Sequence, residues 1–133
     1  LTLNEAIKRS AQLTTLYESN NIPILRIGLH ASSGNQALIA GPFHPSFKAL
    51  VETELWNCLI KERLNSQLNK PESFFNNTLK TKILTIKANP SSINHVVGFE
   101  GKNKKELLLF FKDVRFVKDS LLKSREFEIS FSL

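Results

Sequence analysis

Residues 22–29 read Ile22-Pro23-Ile24-Leu25-Arg26-Ile27-Gly28-Leu29, a short run rich in Ile that is apolar on both faces. A half-buried strand alternates apolar and polar side chains. A continuous apolar run instead predicts a strand covered on both sides, as in a parallel α/β sheet. Such a strand needs neighbours, and this restricts the fold more than any other feature of the 133 residues.

The flanking segments supply them. Thr2-Leu3-Asn4-Glu5 has the pattern of a capping box, with Thr2 as N-cap and Glu5 reaching back to it. Leu3, Ala6, Ile7, Leu13, Leu16 and Tyr17 recur at roughly helical spacing, so a helix is expected over residues 3–18. Asn20 and Asn21 should end it, because Asn tolerates the left-handed conformation. After a loop over residues 30–36, Gly41-Pro42-Phe43-His44-Pro45 makes a rigid elbow, with Pro45 suited to a first helical position. Phe47, Leu50, Val51, Leu55, Cys58 and Leu59 then predict a helix over residues 45–66, with Cys58 buried on its stripe.

Residues 65–80 are polar and loop-like, and a boundary is placed there: residues 1–66 form one part and 67–133 another. In the second part, residues 82–87 read as a strand. Asn89-Pro90 predicts a helix start, with the helix running to about Val97. Gly98-Phe99-Glu100-Gly101 is a tight turn, and Asn103 is expected to cap a helix through Leu107 to Phe111. Residues 114–117 and 127–131 alternate as half-buried strands. The expected architecture is α/β: the C-terminal end of a partial β/α barrel, followed by a small α+β (β-α-α-β-β) appendage.

Composition narrows the function classes. Lys and Arg exceed Asp and Glu by 18 to 12, a net charge of +6, which attracts phosphates, nucleic acid or acidic partners. A single cysteine, Cys58, forms no disulfide within the chain and suits a reducing, cytoplasmic setting. No apolar run approaches the roughly 20 residues of a membrane helix, so no membrane partner is expected. The sequence has no methionine and starts at Leu1. This leads us to expect a piece of a longer protein, or a sequence from which modified methionines are missing. No catalytic set is complete, and three scattered histidines, His30, His44 and His95, argue against a metal site.

Residues 22–29, together with Ala40-Gly41-Pro42-Phe43-His44-Pro45-Ser46-Phe47 and Leu50-Val51-Glu52, carry a resemblance. They are similar to the C-terminal region of bacterial radical S-adenosylmethionine proteins, the oxygen-independent coproporphyrinogen-III-oxidase-like or elongator-like iron–sulfur oxidoreductases. There a late barrel strand precedes a Gly-Pro-aromatic-His-Pro elbow and a helix. The resemblance implies a longer parent with a 4Fe-4S cluster and S-adenosylmethionine. Three cysteines must hold such a cluster. Cys58 alone does not, so the cluster is expected upstream, with that radical core as partner. This piece would supply substrate or partner contacts, with Arg26 and His30 as candidate substrate-binding residues. His30 stands where Gln is usual in the family.

A second resemblance rests on Gly98-Phe99-Glu100-Gly101-Lys102-Asn103-Lys104-Lys105. A Gly-x-x-Gly turn between two short helices, after a strand, looks like the RNA-binding KH module. It implies Gly98 and Gly101 admitting phosphates to the backbone, with Lys102, Lys104 and Lys105 adding charge and the next helix its dipole. Lys104 stands where KH modules place a buried Ile, and Glu100 is acidic. On this alternative the partner is tRNA or another RNA. A third alternative is a structural or homodimerising domain pairing through Phe127-Glu128-Ile129-Ser130-Phe131.

Overall fold

The computed structural model describes residues 2–24, 46–68 and 77–133. The chain divides into two compact units, Leu1–Leu55 and Trp56–Leu133, the division falling within one helix of the sequence. The expected boundary at residues 66/67 lies further along that helix.

In the first unit, α1 spans Leu3–Ser19. Thr2 caps it as expected, its Oγ1 accepting from the Glu5 N–H at 3.1 Å. At the other end Asn21 takes φ 57°. The Asn21 N–H then donates to the Glu18 carbonyl and the Ile22 N–H to that of Tyr17, the paired bonds of a Schellman stop. The buried stripe departs from expectation. Ala6, Ile7, Ala11 and Thr14 are buried, whereas Leu13, Leu16 and Tyr17 are 49, 54 and 39% exposed. Apart from Ile7, small residues define the covered face. Thr14 is accommodated there because its hydroxyl donates to the Ser10 carbonyl at 2.7 Å.

Of the segment expected to be a doubly buried strand, residues 22–24 are described; they are irregular, and Ile22 is half exposed. Residues 25–29, the elbow, and the candidate residues Arg26, His30 and His44 lie outside the described residues, as does the barrel they were expected to close.

α2, Phe47–Leu68, runs through both units. Val51, Leu55, Trp56, Ile60 and Leu64 are its buried apolar residues, four apart except for the adjacent Leu55 and Trp56. Cys58, expected to be buried, is exposed. It lies two residues from both Trp56 and Ile60, about 200° around the helix from each, so it cannot share their face.

The second unit continues from α2 through a 3-10 turn, Asn77–Thr81, to β1 (Ile83–Ala88), α3 (Ile93–Val97), a second 3-10 turn (Phe99–Gly101), α4 (Lys102–Leu107), β2 (Asp113–Lys118) and β3 (Phe127–Ser132). This is the expected β-α-α-β-β order. α4 is shorter than expected, stopping with Leu108 as its C-cap, so Phe110 and Phe111 lie beyond it. α3 starts later than the Asn89-Pro90 pair implies. The Asn89 side chain accepts from the Ser91 N–H at 2.9 Å and holds residues 89–92 as a turn before Ser92 opens the helix.

The three strands form one mixed sheet in the order β2-β1-β3. β1 and β2 are parallel, joined by the α3–α4 crossover, and β3 returns antiparallel to β1. Parallel neighbours require such a crossover, and it lays helices across one face. That face is apolar except at the end of β2, where the exposed Lys118 pairs with Ala88. Leu84 and Ile86 of β1 sit opposite Val114 and Phe116 of β2, and Leu84, Ile86 and Ala88 sit opposite Phe131, Ile129 and Phe127 of β3. With Trp56, Ile60, Leu64, Leu79, Ile93, Val96, Leu107 and Phe111 they build the core.

Trp56 from α2 meets Phe127 edge to face, their centroids 5.6 Å apart. The Arg63 guanidinium lies 4.1 Å above the Phe127 ring and donates to the Phe127 carbonyl at 3.0 Å, covering the start of this edge strand. The buried indole N–H of Trp56 finds no acceptor among the described residues.

Candidate functional site

The turn between α3 and α4 has the strongest chemical character in the second unit. Gly98 ends α3, its N–H donating to the Asn94 carbonyl at 3.0 Å, with φ 98° and ψ 158°. The Gly101 N–H then donates to the Gly98 carbonyl at 2.9 Å and closes the turn. Gly101 sits at φ 72°, ψ 20°, in the left-handed region. A methyl group there would meet only the Lys105 Cε, at 3.8 Å, so backbone conformation rather than crowding requires the glycine. Glu100, at φ 54°, adopts the left-handed region without a glycine's freedom.

Gly101 is therefore the N-cap of α4. Asn103, expected in that role, lies inside the helix and is 1% exposed. Its Nδ2 donates to the Val96 carbonyl at 3.3 Å, and its Oδ1 accepts from Asn57 Nδ2 at 3.0 Å. The carboxamide thus spans the end of α3, the start of α4 and the flank of α2. Asn103 faces inward with Leu107, four residues on, and this leaves Lys102, Lys104 and Lys105 exposed. Lys104 is exposed because its neighbour Asn103 takes the inward position. α4 has only six residues, so the charge at the turn comes from the lysines more than from a helix dipole.

Beneath the lysines lies a second polar group. Asn57 Nδ2 also donates to Glu106 Oε2 at 2.9 Å, and Lys61 Nζ is 3.4 Å from the same oxygen. Partial burial pushes the Glu106 carboxyl upward. The Asn57 hydrogen bond, the charge and hydrogen bond of Lys61 and the charge of Lys102 outweigh it and leave the pKa below its ordinary value.

The structure thus brings Gly101, Lys102, Lys104 and Lys105 into one segment of surface, while Gly98, the first glycine of the turn, is buried. Asn57, Lys61 and Glu106 were not singled out in the sequence. The only available signal was the four-residue spacing that puts Asn57 and Lys61 on one face of α2 and Asn103 and Leu107 on one face of α4. His95 lies in the last turn of α3, partly exposed. Among the described residues, no three His, Cys, Asp or Glu side chains gather as metal ligands. No helix among them is long and apolar enough to cross a membrane.

No protein-family model, curated protein or solved structure matches the chain.

Proposed function

We propose that the chain is the C-terminal, cluster-free part of a radical S-adenosylmethionine oxidoreductase, and that its second unit contacts an RNA substrate through the phosphate backbone. Gly101, the partly exposed glycine of the turn, lets the strand approach the main chain, and Lys102, Lys104 and Lys105 supply the charge. The observation that carries the RNA reading is a Gly-x-x-Gly turn set between two short helices after a strand, with three exposed lysines following it. A phosphate contact of this kind grips RNA without reading its bases.

The parent-enzyme reading is supported by the resemblance of residues 22–29, 40–47 and 50–52. It is also supported by the exposed Leu13, Leu16, Tyr17 and Ile22 of the first unit, an apolar surface of the kind a barrel helix buries against its neighbours. In this reading Arg26 and His30 contact the substrate. The 4Fe-4S cluster and S-adenosylmethionine belong to upstream residues, because Cys58 alone cannot supply the three thiolates the cluster needs.

Filter binding of the chain to tRNA over a salt series tests the RNA reading. Binding that weakens linearly in log–log form with salt is expected, and no affinity at low salt refutes it. Anaerobic expression of the longer parent tests the enzyme reading. A brown protein that cleaves S-adenosylmethionine is expected, and a colourless, cluster-free one refutes it.

Self-association is a second reading, favoured by the position of β3 at a sheet edge. Sedimentation at several concentrations tests it, a constant monomer mass being the result that removes it.

A further inference from the structure

Glu106 lies between cations from two different helices. Lys61 of α2 is 3.4 Å from its Oε2, and Lys102 of α4 is close enough to act on the same carboxylate. Asn57 fixes the junction by bridging Asn103 and Glu106 at 3.0 and 2.9 Å. The link is specific to this place: Asn103 is wholly buried, so the α2–α4 register cannot slide without breaking it.

This junction changes which surface is basic. The carboxylates of the turn, α4 and the second half of α2 (Glu62, Glu100 and Glu106) are fewer than the cations Lys61, Arg63, Lys102, Lys104 and Lys105, so net positive charge remains there. The Lys61–Glu106 pair is also no sink for Lys61. Its side chains are 52 and 37% exposed, and pairs in that setting contribute at most about 1 kcal/mol. Lys61 can therefore turn from a carboxylate to a phosphate at little cost.

We infer that the RNA-contacting surface extends from the glycine turn onto α2, with Lys61 as a further phosphate contact. The ligand is single-stranded RNA long enough to reach past the turn. The inference rests on the RNA reading above. It adds that α2, which lies outside the Gly-x-x-Gly segment, takes part.

The test is a salt series with the full chain and a fluorescein-labelled oligouridine, followed by polarisation. Lys61→Ala should weaken binding several-fold and reduce the log–log salt slope by about 0.7, the value for one single-strand phosphate contact. Lys61→Arg should restore the slope. Lys123→Ala removes the same charge from an exposed position in the β2–β3 connection and should leave the slope unchanged. If the parent chain binds and Lys61→Ala does not alter the slope, the inference is overturned while the RNA reading stands. An equal loss from Lys123→Ala also overturns it, since binding would then follow net charge alone. No binding by the parent chain removes both readings.

Discussion

Asn57 on α2 donates to Asn103 on α4 across 3.0 Å, and Asn103 passes the connection on to the last turn of α3 through the Val96 carbonyl. Three helices are thus tied together by two carboxamides directly beneath the glycine turn. An inward-facing Asn is costly to bury unless its groups are paired, and here both ends of Asn103 are.

Asn103→Ala removes the tie and leaves Asn57 and the Val96 carbonyl short of a partner. A loss of about 1–3 kcal/mol is expected, the range for stranding buried polar groups. It should appear as a lower urea midpoint with an unchanged m-value. A midpoint equal to that of the parent would show that the tie contributes nothing.

Gly101→Ala probes conformation alone, because the added methyl has room beside Lys105. Forcing a β-carbon into the left-handed region should cost about 1–2 kcal/mol. Gly101→Asn should cost less, since Asn tolerates that region. Equal losses from the two variants, read by thermal unfolding, would contradict the conformational account.

Much of this fold was legible because local chemistry and tertiary context agree. Thr2 and Asn21 end α1 as their side chains predict. β1 and β3 occupy their expected positions within a residue because alternating patterns fix which face is buried. The failures have a common physical origin. Large apolar residues were assumed to face the core, yet α1 covers Ala11 and Thr14 while Leu16 is exposed, and Cys58 points away from the stripe that Trp56 and Ile60 define. A helical stripe can be drawn through several sets of residues, and only packing selects one. Asn103 fits a local rule for caps, but the left-handed Gly101 took that role and freed Asn103 for a tertiary one. The glycine turn could be read as a turn; the polar support from Asn57 and Glu106 could not, because it joins residues far apart in sequence.

Phe127 has a different kind of importance. It is 6% exposed, packed against Trp56 on one side and under Arg63 on another. Phe127→Ala should cost about 3–5 kcal/mol, as expected for emptying a packed aromatic site. Leu121→Ala, at a residue 83% exposed, should stay within about 0.5 kcal/mol of the parent. Chemical denaturation of the pair distinguishes core burial from a general sensitivity to losing apolar surface. Arg63→Ala should fall between them, since it removes one charged hydrogen bond and a cation–ring contact but leaves the core filled.

Glu106 gives the second unit a pH dependence whose sign follows from its partners. The Asn57 hydrogen bond and the Lys61 and Lys102 charges hold its pKa below the ordinary 4.5 despite the upward push of burial. A carboxylate that binds its proton less readily when folded stabilises the fold above its unfolded pKa and loses that contribution as pH falls through the folded value. The stability of the parent chain should therefore decline below about pH 4.5 in part through this residue. Glu106→Gln removes the titrating group, so the stability difference between parent and variant should narrow as pH is lowered through that window and be constant above it. Urea unfolding at a series of pH values measures the difference. A gap that persists unchanged at the acid end would mean that the carboxylate's charge does not stabilise the junction, and that Asn57 and Lys61 lie near it without electrostatic consequence.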